Sequence, residues 1–319
     1  MKRLIVQGLK FFAVTLALYL LVFFALTHAR FQGKALIHRT SDYYQWKGGV
    51  AYSKFQEWDP EARWDAIVIG SSHAYRGYDP RVFAERGYRM FNLGSSGQTP
   101  LSTHALLDHY VTRQRTGLVI MDLYEGAFTQ DGLESVSDLT QNMSSDAAAA
   151  QLAASFRDLR SINLFTLRMM NKSGAPMYAD PDYKVAGFAV RADSLHAPIN
   201  YDVGLALKLD ERQKASFARC LDLCAERDLR LVLVTHFYPH RSDKARHAAF
   251  AAFVDSVITL HNAGAERPAR VEWYDFAYAH DASDVDHFSD HNHLNAAGAR
   301  IFNTLLIDSL VSAGHLPSR

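Results

Sequence analysis

Five short apolar runs punctuate the chain: Ala66 to Ile69, Arg89 to Leu93, Leu118 to Leu123, Leu229 to Thr235 and Arg270 to Tyr274. Apolar runs of this length predict strands, and helical patterns lie between several of them. Thr99 to Arg113 predicts a crossover helix, with Pro100 at its start and Leu106, Leu107 and Tyr110 on one face. Asn295 to Ala313 predicts a closing helix that Asn295 caps, Gly314 ends, and Ile301, Leu305 and Leu306 supply with an apolar face. Such alternation predicts an α/β fold in which helices cover both faces of a parallel sheet, a three-layer α/β/α sandwich.

Three stretches break the alternation. Lys2, Arg3 and Lys10 precede an uncharged run from Phe11 to Leu26, and His28, Arg30 and Lys34 follow it. A helix from about Leu4 to Thr27 spans the ~30 Å hydrocarbon layer if Lys10 snorkels. Residues 1–30 therefore read as a retained signal anchor, a single transmembrane helix with its basic tip in the cytoplasm and the rest of the chain in the periplasm or outside the cell. A signal peptide cleaved after Thr27-His28-Ala29 is the competing reading. Residues 31–63 are polar and aromatic without a clear period and read as a linker. In residues 64–319 the pattern is interrupted between about 127 and 208. There Asp146 to Asn171 looks helical and Lys172 to Tyr201 is rich in Pro, Gly, Asp and Tyr. An insertion this long predicts a cap or substrate-binding subdomain.

Composition removes other function classes. The 34 basic and 34 acidic residues balance, with no long Lys/Arg run, so nucleic acid is not an expected partner. Cys220 and Cys224, the only cysteines, lie four apart on one face of a helical pattern from Glu211 to Arg227, a geometry that suits free thiols rather than a disulfide. The cluster His280, Asp281, Asp284, Asp286, His287, Asp290, His291 and His293 matches no standard zinc spacing and reads as a solvated acidic loop.

Two motifs carry chemistry. The first predicted strand ends in Gly70-Ser71-Ser72-His73, which places Ser72 at the edge where open α/β folds keep their sites. Near the C-terminus, Asp290-His291-Asn292-His293 sets a carboxylate three positions before an imidazole. A serine nucleophile needs a base, a group that orients the base, and amide donors for an oxyanion. His293, Asp290 and the N–H of Ser72 are the candidates, joined by Gly97 in Ser96-Gly97-Gln98-Thr99. A Gly-x-Ser-x-Gly elbow is the alternative reading, but such an elbow follows several strands of its sheet, whereas only the membrane segment and linker precede Ser72. His236, at the end of the fourth predicted strand, is a candidate to line the pocket or to be a hydrogen-bonded histidine at the sheet edge. Arg76 could meet an anionic group of the substrate or pair with Asp79.

In their order and placement these patterns resemble the SGNH hydrolase superfamily, also called GDSL esterases and lipases. There a Gly-Asp-Ser turn carries the nucleophile, a glycine after the second strand contributes to the oxyanion hole, and a C-terminal Asp-x-x-His supplies acid and base. The resemblance spans about Trp64 to Leu310 apart from the insertion, and implies catalysis by Ser72, Asp290 and His293 without a cofactor. Ser71 stands where the family has Asp, in which the chain resembles membrane-anchored envelope members of the superfamily. No asparagine lies in Leu123-Tyr124-Glu125-Gly126, where a third oxyanion donor is expected, and Tyr124 is the replacement candidate. The resemblance implies a serine-dependent esterase or O-acyltransferase acting on acetyl-type groups of a cell-envelope glycan or its acyl donor. A different expectation is a non-catalytic scaffold that holds a multispanning membrane acyltransferase.

Overall fold

The computed structural model describes residues 1–319 except 33, 42–43, 45–46, 172–173, 196–200, 202, 205, 265–269 and the side chain of residue 34. Part of the expected 172–201 segment, and the side chain of Lys34 in the basic flank, thus lie outside the described residues. The five predicted strands form one parallel sheet: β1 (Trp64–Ile69), β2 (Met90–Asn92), β3 (Thr116–Asp122), β4 (Leu231–Thr235) and β5 (Glu272–Asp275), in the order β2-β1-β3-β4-β5. Strand order reverses between β1 and β3, which opens a crevice at their C-terminal ends.

Alternate residues of each strand feed two cores. Ile67, Ile69, Val119, Met121 and Leu233 face one helical layer, and Ala66, Val68, Leu118, Ile120, Val232 and Val234 face the other. The second layer contains α3 (Ser72–Gly77), α4 (Pro80–Glu85) and α12 (Ala296–Ser312). Asn295 caps α12, its side chain accepting from Gly298 N at 3.0 Å. The buried face of α12 is Ala299, Phe302, Leu306, Ile307 and Leu310, whereas Ile301 and Leu305, expected on it, point outward. Phe302 sets the phase: it packs against Tyr78, His236 and Phe237, and residues 301 and 305 lie about 100° and 60° from it on one side, whereas Ala299, Leu306 and Leu310 lie on the other.

The first layer holds α5 (Pro100–Tyr110) and α10 (Glu211–Glu226), with Cys220 and Cys224 buried and unpaired. It is wider than the sequence suggests. Segment 31–63, read as a linker, contains α2 (Gly49–Glu57), whose Val50, Ala51, Lys54 and Phe55 are buried in the body. The interrupted region contributes α6 (Glu125–Phe128), α7 (Leu133–Asn142), α8 (Asp146–Phe156) and α9 (Leu159–Met170). Leu133, Val136, Leu139, Leu152, Phe156 and Leu164 share one core with α5 and α10, so these helices extend the layer instead of standing apart as a cap. The single helical pattern from 146 to 171 is two helices, because Arg157 turns left-handed (φ +56°) and Asp158 caps the next helix through Arg160 N.

The N-terminal helix α1 (Lys2–His28) has a mean hydropathy of 2.3 over an 18-residue window and is long and apolar enough to cross a membrane. Beyond it, α11 (Lys244–Gly264) links β4 to β5.

Candidate active site

Ser72 lies where β1 stops. Gly70 has φ +155°, and a Cβ there would sit 2.8 Å from Cβ of Asp122 on the neighbouring strand, so this turn tolerates only glycine. Ser71 caps α3, its hydroxyl accepting from His73 N at 3.3 Å. A serine does the work of an aspartate at an N-cap, and Ser72 follows as the first helical residue.

The loop before α12 brings the other half. His293 Nε2 lies 2.8 Å from Ser72 Oγ, and Nδ1 of the same ring lies 2.9 and 3.0 Å from the two oxygens of Asp290. Asp290 Oδ1 also accepts the backbone N–H groups of Asn292 and His293, at 3.0 and 2.9 Å, a local turn that fixes the carboxylate under the imidazole. Burial alone would raise the Asp290 pKa, but the His293 hydrogen bond and charge, with these two amides, hold it well below the usual carboxylate range. Asp290 is therefore ionised at any physiological pH, which favours a proton on Nδ1 and a free lone pair on Nε2 facing the serine.

Beneath His293 is a stack absent from the sequence reading. His73 is buried and lies between Tyr124, at 3.8 Å between ring centroids, and His236, at 4.4 Å, with His293 edge-on at 5.2 Å. His236 is 1 % exposed and donates Nδ1–H to its neighbour's carbonyl, Phe237 O, at 2.7 Å; it backs the site and does not line an open surface. Desolvation, with neighbouring imidazoles, drives the His73 pKa far down, and desolvation takes His236 to about 3. Two neutral rings beneath His293 spare its imidazolium a like-charge neighbour. The signal for His73 was its place beside Ser72, where a polar residue on the inner face of a short helix meets the sheet edge.

Tyr124 sits at the switch point, after β3. Its hydroxyl accepts from Asn292 Nδ2 at 3.3 Å, which leaves the phenolic proton free to donate. Tyr238 packs edge-on to His73 and donates to Glu125 at 2.7 Å; His247 lies between Glu125 and Asp275, 3.0 Å from the latter. Arg76 does not pair with Asp79, which is held by Arg81 at 2.7 Å. Instead it faces Asp182 at 3.7 Å and stacks over Tyr75.

The loop from Asn92 to Thr99 abuts the turn that carries Ser72: Leu93 N donates to Val68 O at 2.7 Å and Ser95 N to Gly70 O at 3.1 Å. Gly97 lies on this loop with φ +54°, and a Cβ would come within 2.8 Å of Glu134 Oε2. Two charges, neither expected from sequence, hold the loop from behind. Lys54, wholly buried, donates to Gly94 O at 2.6 Å and Leu93 O at 3.3 Å. Asp138 on α7 accepts the Ser96 N–H and an Asn142 amide. Burial lowers Lys54 to about 8 and raises Asp138 to about 6, each effect countered by the other's charge.

The histidine-rich stretch is held by backbone groups, its own and those of the loop after β4. His280 Nε2 meets Tyr238 O at 2.9 Å, His287 Nδ1 accepts Ser283 N at 2.8 Å, and Asp284 accepts the amides of His240 and Arg241.

No family model and no curated protein matches the sequence. Solved structures similar to it include a GDSL-like lipase from Bacteroides thetaiotaomicron, at 10% identity over 78% of this chain and 88% of that one, TM-score 0.39. Also similar are an alpha/beta hydrolase enzyme from the metagenome of Lake Arreo, at 16% identity over 81% and 99%, TM-score 0.41, and a Clostridium thermocellum family 3 carbohydrate esterase, at 9% over 79% and 96%, TM-score 0.35.

Proposed function

We propose that this protein is a serine-dependent acyl esterase or O-acyltransferase of the SGNH type, anchored in the membrane by α1 and acting on a cell-envelope glycan or its acyl donor. The observation that carries the reading is one continuous hydrogen-bonded line from Ser72 Oγ through both nitrogens of His293 to Asp290. In this reading His293 takes the Ser72 proton as Oγ attacks the acyl carbonyl, and Asp290 stabilises the imidazolium. The oxyanion is met by the N–H of Ser72 and by Gly97 on the adjoining loop. The Tyr124 hydroxyl, freed to donate by Asn292, supplies the third donor in place of the missing asparagine; one such donor is worth roughly 100 to 1000-fold in rate. Collapse breaks the ester bond, His293 returns its proton to the leaving alkoxide, and water or a sugar hydroxyl releases the acyl group from Ser72.

Covalent labelling of the full chain with a fluorophosphonate tests this. Labelling that disappears in both Ser72→Ala and His293→Ala supports the reading. A folded wild type that does not label overturns it and favours a non-catalytic scaffold for a multispanning acyltransferase, which the missing asparagine would suit.

A further inference from the structure

The contacts of α1 orient the whole domain. The Tyr19 hydroxyl bonds to Asn163 on α9, and Phe23, four residues on, is buried with Leu167, also four residues on. Leu26 and Met170 flank the same cluster, so α1 and α9 run parallel. The sense of α9 follows from its ends. In its first turn Arg160 bonds Asp158 and Asp131, the latter just after α6, at the edge that carries Ser72. In its last turn Arg168 donates to Thr140 O and Met143 O, at the end of α7 near the Tyr110–Ser144 contact, on the opposite side of the sheet. Traced back toward its N-terminus, α1 therefore climbs past the edge that holds the candidate triad. Leu159 is level with about residue 15 of α1, which leaves roughly fourteen residues, ~20 Å of helix, projecting beyond that edge.

This end of α9 is apolar where it is free. Leu159 and Ile162 are 60% and 54% exposed and one turn apart; Arg157 and the paired Asp158 and Arg160 flank the start of α9. They lie beside the uncharged run of α1, at a level where a membrane-spanning α1 is still within lipid or its interface. An apolar helical face with arginines at its end suits the acyl–headgroup boundary.

We propose that the site edge of the sheet faces the bilayer, with Leu159 and Ile162 seated in the adjoining leaflet beside α1, and that the acyl donor is membrane-resident. The proposal rests on α1 being a retained anchor and, for the donor, on Ser72 as nucleophile. The opposite edge, with Gln114 between α5 and β3, then faces away from the membrane.

The test uses the full chain in nanodiscs, with a fluorophore on single added cysteines; Cys220 and Cys224 are buried and do not compete. Lipids carrying a nitroxide on the acyl chain should remove most of the emission from Leu16→Cys and Ile162→Cys and little from Gln114→Cys or from the exposed Leu260→Cys on α11. Ile162→Cys as bright as Gln114→Cys, with Leu16→Cys quenched, overturns the orientation and leaves the anchor standing. Bright signals at every position overturn the anchor and the proposal together. These readings need no activity, so a failure of the Ser72 chemistry shows separately. With that chemistry intact, a fluorophosphonate on a long alkyl chain should label nanodisc-embedded protein faster than a short water-soluble one. Equal rates overturn the membrane-resident donor.

Discussion

On one side of Ser72, Asp290 and His293 come from a single short turn; on the other, the loop from Asn92 to Thr99 is held by Lys54 and Asp138, from helices that sequence reading assigned to a linker and an insertion. The first side is fixed by hydrogen bonds between residues two or three apart. The second depends on buried charges that reach the loop across about 40 residues. Local turns hold geometry at little cost in burial, whereas a buried ammonium and carboxylate are tolerable only with every partner in place. The two sides should therefore fail differently.

The largest effect is expected at Asp290→Asn. The turn can survive, but the amide favours the wrong His293 tautomer, and fluorophosphonate labelling should slow by roughly 10³ to 10⁴-fold with little change in Tm. A drop in Tm as large as the loss of rate would erase the contrast.

Lys54→Met should do the reverse in part. It leaves two buried carbonyls without their donor and Asp138 without its nearby positive charge, at a cost of about 3 kcal/mol or more in urea unfolding. Labelling should slow about tenfold in the folded fraction, because the Gly97 loop loosens; a lost oxyanion donor sets the upper bound. The double variant Lys54→Met/Asp138→Leu sharpens the comparison: stability should recover while the rate does not. If both recover, Lys54 only fills space.

A pH scan addresses the cluster behind the site. Burial would lower the His247 pKa, but Asp275 and Glu125 more than reverse this and raise it to about 9. The folded state thus holds a proton the unfolded chain releases near 6.5, so this contribution is complete below that pH and is lost as pH rises through about 9. The Tm should fall across that window and flatten in His247→Gln. In stability the smallest effect is expected at Tyr124→Phe, about 1 kcal/mol or less from the Asn292 hydrogen bond. Labelling should nevertheless slow by roughly 100 to 1000-fold as the third oxyanion donor is lost; a loss below tenfold would remove the hydroxyl from that role.

What could be read from the chain was what neighbouring residues determine. β1, β3 and β4 announce themselves as runs of Val, Ile and Leu and β2 and β5 as shorter runs with aromatic residues, Asn295 and Gly314 mark the ends of α12, and the spacing of Asp290 and His293 needs only a turn to bring them together. Lys54 looks like any surface lysine between Tyr52 and Phe55, because its burial depends on carbonyls of a distant loop. His73 and His236 gave no sign of stacking, since they leave different strands and meet only when the sheet forms. The outward turn of Ile301 and Leu305 was hidden for the same reason: the phase of an apolar helix is set by what it packs on.

The hydrogen bond between Ser72 and His293 joins positions 221 apart in sequence. A ribosome makes the serine after the first strand of the sheet and the histidine only after the last, with four strands between them. Until the segment before α12 is made and seated, the chain carries an ordinary alcohol at residue 72, without the imidazole that faces it in the folded protein. On the proposed chemistry, such an arrangement ties reactivity at Ser72 to the seating of α12.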